Sequence, residues 1–524
     1  MDPNANVGPR AVNKWLITIA VMAGTFMEII DTTVVNVALP QMAGSLSAGV
    51  DEATWVLTSY LVSNAIVLPI TGWLSALFGR KRFLMICLVL FTGASMLCGS
   101  APNLKSLIVF RIFQGVGGGA LQPISQAILL ESFPVRERGM AMAIWGIGVV
   151  FAPIIGPLLG GWITDNMSWR WVFYINFPVG VLSLIMTALF IFDPEYIKKQ
   201  KAGSIDYIGL GFLVVGLGCL QIVLDKGQRE DWFSSAFIVR LAIIAVVALV
   251  LLIYWELKTK HPVVDLRLFK ERNYAAGVTI MFFFGFVLYG SIVLLPLFLQ
   301  TLMGYDATLA GWALAYGGIG SLIILPIVGR LLQVIDGRWL VGAGLIINMV
   351  AVYLMSNYNT QIDFYTAWWP RFIQGFGLGT TFVSLTTLTM SRISQEKMGN
   401  ATGIFNLMRN LGGSFGIATA TTLLSRRAQF HQSHLVGRLT PLDLTFQNWQ
   451  QRIGEVLPGL PPDWQWWQYK QPLAGLYLEV QRQAQMLAFC DDYWFFTLLF
   501  LALLPLVFLM RKAPESTEGP GMGH

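Results

Sequence analysis

Long apolar runs separated by short polar stretches fill almost the whole chain. A helix needs about 20 mainly apolar residues to cross a hydrocarbon core. Runs of that kind lie near 15–40, 55–77, 83–101, 105–130, 139–163, 172–192, 205–224, 234–256, 274–300, 308–332, 339–358, 366–390, 399–425 and 492–511. The pattern predicts an all-α integral membrane protein with fourteen transmembrane helices. The first run is too long for the apolar core of a signal peptide, carries Glu28 and Asp31, and lacks a small-residue cleavage site. It is expected to stay attached.

Composition agrees with that reading. The 524 residues are 55% hydrophobic and 12% charged, whereas a soluble domain carries about 25% charged residues. The net charge of +6 does not point to nucleic acid, because Lys and Arg sit in short clusters between apolar runs and form no stripe interleaved with aromatics. With the N-terminus inside, the cytoplasmic segments collect 20 of the 35 Lys and Arg, and the short external loops hold Lys105, Arg170, Lys226 and Arg229. By the positive-inside rule both termini are expected in the cytoplasm. Cys87, Cys98, Cys219 and Cys490 have no CxxC spacing and read as small apolar residues.

The chain also repeats itself at an offset of 260. Arg111-Ile-Phe-Gln114-Gly115-Val-Gly117 matches Arg371-Phe-Ile-Gln374-Gly375-Phe-Gly377, and Gly139-x-Ala141-x-x-Ile144 matches Gly399-x-Ala401-x-x-Ile404. Two like-oriented six-helix halves leave two spans over, which fall between them. The expected plan is a first half at 1–192, two extra central helices at 193–273 and a second half at 274–513. The second half contains an external loop at 426–490, and 514–524 is a disordered tail. Parallel repeats of this kind place a substrate at the midplane between halves.

The loop Gly72–Lys81, the block from Arg111 to Gly119 and Gly156-Pro157-x-x-Gly160-Gly161 resemble three signatures of the major facilitator superfamily. Asp31-Thr-Thr-Val-Val-Asn36-Val-Ala-Leu-Pro40 and Trp169–Gly180 are similar to its fourteen-span drug:proton antiporter branch, in particular the exporters with a long loop before the last span. The resemblance implies a major facilitator fold of two six-helix halves plus two central helices. It also implies proton-coupled export of hydrophobic compounds across the inner membrane. The partners it implies are a periplasmic membrane-fusion adaptor and, through it, an outer-membrane channel. Gly72, Gly79, Arg80, Gly156 and Pro157 would act in conformational gating. The sequence departs from the pattern at Ala76 and Leu77, where the loop's usual acid and base are missing.

Candidate chemistry centres on Glu28 and Asp31, the carboxylates deep inside the expected spans. An ionisable group at the bilayer centre costs a few kcal/mol or more and is a functional hypothesis by default. At i and i+3 the two share a helix face. Arg111 is the expected partner, since its guanidinium is always charged and stabilises a carboxylate once the proton leaves. These three are the proton-coupling candidates. Substrate contacts are expected from Glu28, Gln114, Gln122, Gln126, Asn406 and Arg409, whereas Arg371 is expected to be structural for want of an acid in its own half.

Four histidines, none inside a span, and no nucleotide-binding loop argue against an intramembrane enzyme or a direct ATP pump. His431-Gln-Ser-His434 lacks further ligands, so no metal and no cofactor are expected. Trp449, Trp464, Trp466 and Trp467 in the long external segment would meet lipid headgroups or a protein partner. The alternative function is proton-coupled transport of a polar solute.

Overall fold

The computed structural model describes residues 13–134, 137–193, 206–260, 262–438, 447–448 and 465–512. The N-terminal stretch, the tail from Pro514, and Trp449, Pro461, Pro462 and Trp464 of the segment expected to be external lie outside them. No strand occurs among the described residues. Fourteen long helices run through them: α1 (Lys14–Ser45), α2 (Trp55–Phe78), α3 (Arg80–Gly99), α4 (Leu104–Ser132), α5 (Arg138–Asn166), α6 (Trp171–Phe190) and α7 (Tyr207–Lys226). They continue with α8 (Ala236–Lys258), α9 (Arg272–Thr301), α10 (Ala307–Leu331), α11 (Gly337–Met355), α12 (Phe364–Met390), α13 (Met398–Arg438) and α14 (Gln465–Leu509).

Twelve of these are long and apolar enough to cross a membrane. The other two, α12 and α13, are long enough, but Thr, Gly, Asn and Arg dilute their apolar character. Those polar residues sit inside the bundle: Thr381, Thr386, Thr389, Thr402 and Asn406 are fully buried. Two helices are broken where proline removes a backbone donor. α4 interrupts after Gly118, where Pro123 has no N–H for the carbonyl of residue 119, and α6 interrupts at Ile175, three residues before Pro178.

Helix packing repeats with a step of eight helices. α1 packs on α5 as α9 packs on α13, α3 on α4 as α11 on α12, α2 on α4 as α10 on α12, and α3 on α6 as α11 on α14. The two halves meet through α2 with α13 and α5 with α10, and each of these contacts maps onto the other when the halves are exchanged. α7 and α8 pair with each other, and α7 also packs on α2.

The close approaches between halves cluster at the end of the bundle where both described termini lie. There Asn273 of α9 exchanges hydrogen bonds with the Arg511 backbone (2.8 and 2.6 Å), and Lys14 pairs with Glu137. A β-carbon at Gly72 would fall 2.2 Å from the Asn400 backbone nitrogen, so α2 and α13 touch only because position 72 has no side chain. Gly139 and Gly329 make the matching contact of α5 with α10.

The segment between the last two apolar runs is helical at both ends. α13 continues to Arg438 and α14 begins at Gln465. At about 1.5 Å per residue both extend well past the about 30 Å of hydrocarbon. Asp491 of α14 clips the two together, accepting from Arg427 Nε (2.5 Å) and pairing with His431 Nε2 (2.7 Å). His431 therefore serves an ion cluster between helices.

Candidate functional site

Glu28 and Asp31 lie on the inner face of α1, 3% and 0% exposed, and each has a different set of partners. Asp31 accepts from Arg111 Nη1 (2.6 Å), Gln114 Nε2 (2.8 Å) and Asn176 Nδ2 (2.7 Å). Arg111 also donates from Nε to the Val56 carbonyl (3.1 Å) and from Nη1 to Gln114 Oε1 (2.8 Å). Its guanidinium carbon lies 4.2 Å from the centre of the Tyr60 ring, within cation–π range. The charge pair is thus hydrogen-bonded on both sides, which is the condition under which burying it is tolerable.

Glu28 has no cation bonded to it. Its oxygens accept from Tyr60 Oη (3.0 Å), Asn64 Nδ2 (3.2 Å) and Gln122 Nε2 (2.6 Å). Tyr60 therefore joins the two acids, with its hydroxyl on Glu28 and its ring under the arginine that holds Asp31.

Gln122 carries the network across to the second half. Arg409 of α13 donates from Nη2 to Gln122 Oε1 (2.5 Å), and one turn further along α4 Asn406 Nδ2 donates to Gln126 Oε1 (2.7 Å). Arg409 is 4% exposed, and its Nε has no hydrogen-bond partner among the described residues. Two amide bridges thus span the halves at mid-bundle, and the close approaches of Gly72 and Gly139 lie between them and the terminal side.

The structure brings Glu28, Asp31, Arg111, Gln114, Gln122, Gln126, Asn406 and Arg409 into one connected layer. Within it Gln114 is taken up by the Asp31–Arg111 pair, and Gln126 and Asn406 bond to each other, which leaves Glu28, Gln122 and Arg409 as the charged and amide groups around the interface. Gly72 and Gly79 flank the α2–α3 turn. Gly79 has φ +82°, a left-handed backbone that favours glycine, and the turn is tied down by Asp193 accepting from Lys81 N (2.8 Å). Arg80 pairs with Glu131 in its own half and reaches across only to the Gln395 carbonyl (3.4 Å). Gly156 packs on Thr33 of α1, within the first half, and Pro157 is exposed.

Sequence reasoning missed Tyr60, Asn64 and Asn176. Tyr60 and Asn64 are four apart on one face of an apolar run, a polar stripe that could have marked them, and Asn176 stands in the Trp169–Gly180 block. It also missed an acid. Asp492 is 0% exposed inside α14, which corrects the expectation that the second half lacks a buried carboxylate. The helix starts well before the apolar run does, so a residue expected at its edge lies in its interior. Arg371 donates from Nη1 to Gln374 Oε1 (2.5 Å) and to Ser291 Oγ (3.2 Å).

The family of the chain follows from its likeness to known proteins. The family model described as Major Facilitator Superfamily matches residues 21–417. The chain belongs to the major facilitator superfamily. Among curated members it is 38% identical over 509 residues to the multidrug export protein EmrB of Escherichia coli K12, covering 97% of each chain. It is 38% identical to EmrB of Haemophilus influenzae over 96% of each chain. It is 37% identical to the fatty acid resistance protein FarB of Neisseria gonorrhoeae, over 96% of this chain and 97% of that one. The solved structure of the human organic anion transporter MFSD10 superposes with a TM-score of 0.59 at 12% identity, covering 94% of this chain and all of that one. That likeness is one of fold alone. As a member of the superfamily the chain is a multi-pass membrane protein of a transporter family, which accounts for the equivalent helix pairs of its two halves.

Proposed function

We propose that this chain is a proton-driven exporter of hydrophobic compounds across the cytoplasmic membrane, with fourteen spans and both termini in the cytoplasm. The observation that carries the reading is Asp31: a fully buried carboxylate whose charge Arg111, Gln114 and Asn176 stabilise, in a network that reaches the second half through Tyr60, Glu28, Gln122 and Arg409. A proton arriving at Asp31 weakens its hold on Arg111. The guanidinium, whose ring partner Tyr60 also bonds Glu28, then transmits the change toward the bridge between halves. Glu28, Gln122 and Arg409 are the groups proposed to meet cargo. The name of EmrB, a multidrug export protein, supports this cargo class. Arg409, with one neutral acceptor for its guanidinium, supports acceptance of cargo with an acidic head, in keeping with the name of FarB.

With Gly72 against Asn400 and Gly139 against Gly329, the arrangement is closed toward the cytoplasm. The helical extensions of α13 and α14 would then project outward, where they are proposed to meet a periplasmic adaptor leading to an outer-membrane channel. Moving one charge through 100 mV supplies roughly 2.3 kcal/mol and one pH unit about 1.36 kcal/mol. One proton exchanged for a neutral compound thus sustains accumulation on the order of a few hundredfold at those values. The test is uptake into inverted proteoliposomes under an imposed pH gradient with no ATP present. Accumulation that an uncoupler collapses supports the reading, and accumulation indifferent to the gradient would refute it.

A further inference from the structure

Asp492 of α14 is 0% exposed, and neither of its carboxyl oxygens has a hydrogen-bond partner among the described residues. Burying an ionised carboxylate without a partner is expensive, so a residue that did nothing but pack would be better replaced by an apolar one. The next residue, Tyr493, is 1% exposed with its hydroxyl equally unpartnered, and it lies within electrostatic reach of Arg371. Arg371 is 5% exposed, bonds only the neutral Ser291 and Gln374, and leaves Nε without an acceptor. The second half thus holds a buried acid and a buried base that form no ion pair in this conformation, whereas Asp31 and Arg111 are joined in the first.

The groups beside Asp492 on α14, and those that face its helix neighbours Asp491, Tyr493, Phe489 and Phe496, can be named helix by helix. On α14 itself they are Asp491, Cys490 and Tyr493. From α13 come Arg427 and His431, both bound to Asp491. Tyr358 follows α11, its ring 6.1 Å from that of Tyr493 and its hydroxyl committed to the Ala367 carbonyl. Arg371 comes from α12, and α9 presents Phe286 and Phe298, which pack on Phe496 and Phe489 of α14.

We propose that Asp492 is a second proton-carrying carboxylate, serving the second half as Asp31 serves the first, with the Tyr493 hydroxyl as the group that receives its charge and Arg371 acting through Tyr493. In the step the carboxyl O–H bond breaks and the proton passes to water. The carboxylate left behind is met by the Tyr493 hydroxyl, which has a donor to spare, and Tyr493 in turn lies within electrostatic reach of Arg371. The proposal rests on the proton-driven reading above, and it adds a second carrier located outside the Glu28–Asp31 layer.

Two measurements test it. The first counts protons taken up by purified protein on acidification, for wild type, Asp492→Asn and Asp492→Leu. Each variant is expected to bind one proton fewer and to unfold at or above the wild-type temperature, because replacing an unpartnered buried carboxyl removes a desolvation cost. The second follows cargo accumulation against the imposed pH gradient, where the logarithmic slope should fall by one proton in both variants. A wild type indifferent to the gradient would sink the exporter reading while leaving the proton count to decide on Asp492. A gradient-driven wild type whose slope and proton count survive in both variants would overturn the second carrier. Infrared spectroscopy repeats the test with position 492 intact. A titrating buried carboxyl band should persist in the triple variant Glu28→Gln, Asp31→Asn, Glu256→Gln, the last removing another buried acid, on α8, and its disappearance there would equally overturn the proposal.

Discussion

Ser291 stands beside Arg371 where Asp31 stands beside Arg111. Both pairs are separated by the 260-residue repeat, and so are Gln114 and Gln374. Arg371 Nη1 bonds Ser291 Oγ and Gln374 Oε1 just as Arg111 Nη1 bonds Asp31 Oδ2 and Gln114 Oε1. The two halves thus keep the same scaffold of arginine and glutamine, and one of them has exchanged its carboxylate for a hydroxyl. That asymmetry locates the proposed proton exchange at Asp31, and it leads to two sets of substitutions.

At the second-half site, Ser291→Asp should be accepted. A carboxylate there meets a guanidinium already in place, and a buried, well-bonded pair is close to neutral in stability. The unfolding free energy of this variant is expected within about 1 kcal/mol of wild type. Ser291→Lys adds a second buried cation beside Arg371 and should cost about 3 kcal/mol or more. Equal effects of the two substitutions in a thermal-unfolding assay would contradict the equivalence of the sites.

At the first-half site, Arg111→Gln leaves Asp31 buried with its cation gone, and the expected loss is about 3–5 kcal/mol. Adding Asp31→Asn should recover most of that stability without restoring transport, since an amide has no proton to release. Arg111→Lys should also be impaired. One ammonium cannot reach Val56, Gln114 and Asp31 together while lying over Tyr60, as the planar guanidinium does. A double variant that transports under a pH gradient would remove Asp31 from the coupling path.

The acids on α1 were legible in the sequence for a simple reason: a charge inside an apolar run is conspicuous whatever packs around it. The repeat and the two central spans were legible too, because they are written in residue spacing. Tyr60, Asn64 and Asn176 were not, since neutral polar residues are ordinary in such runs and only tertiary packing decides which of them meet. Asp492 was hidden by a boundary. In the sequence, 473–489 reads as a helix leading into an apolar run that begins near 492, which puts Asp492 at a junction, whereas one continuous helix makes it interior. The Ala76 and Leu77 departure was visible, but not what accompanies it, the pairing of Arg80 with Glu131 inside its own half.

The close approach of α2 and α13 can be trapped. A β-carbon at Gly399 would stand 3.1 Å from Ser75 Oγ, so Ser75→Cys with Gly399→Cys brings two thiols into bonding range in this conformation. Oxidation should form the disulfide, lock the bundle closed at the terminal side and stop transport, and a reductant should restore it. Gly72→Val in the same background puts a branched side chain against the Asn400 backbone and should reduce cross-linking several-fold. Cross-linking that proceeds unchanged in the Gly72→Val background would mean that the glycine contact does not limit closure.

The helical extensions of α13 and α14, proposed to face outward, set the last prediction. Two neighbouring helices need only a few residues to turn, yet here the chain runs on to Arg438 and returns from Gln465, and Asp491 with Arg427 and His431 fixes the base of the hairpin. If the extension docks an adaptor, transport and resistance will come apart when it is shortened. Replacing 435–486 with a short flexible link removes both extensions beyond the Asp491 cluster while leaving that cluster and the whole Glu28–Arg409 network intact, so gradient-driven exchange in proteoliposomes should remain near the wild-type rate. Whole-cell resistance in a host carrying the adaptor should be lost, and the adaptor should no longer co-purify. A flap that only rests on lipid headgroups gives a different result, with resistance and co-purification preserved in the shortened protein. Loss of exchange in the liposomes would give a third, tying the extension to the transport cycle through the Asp491 cluster; Asp491→Asn would then reproduce the defect without any deletion.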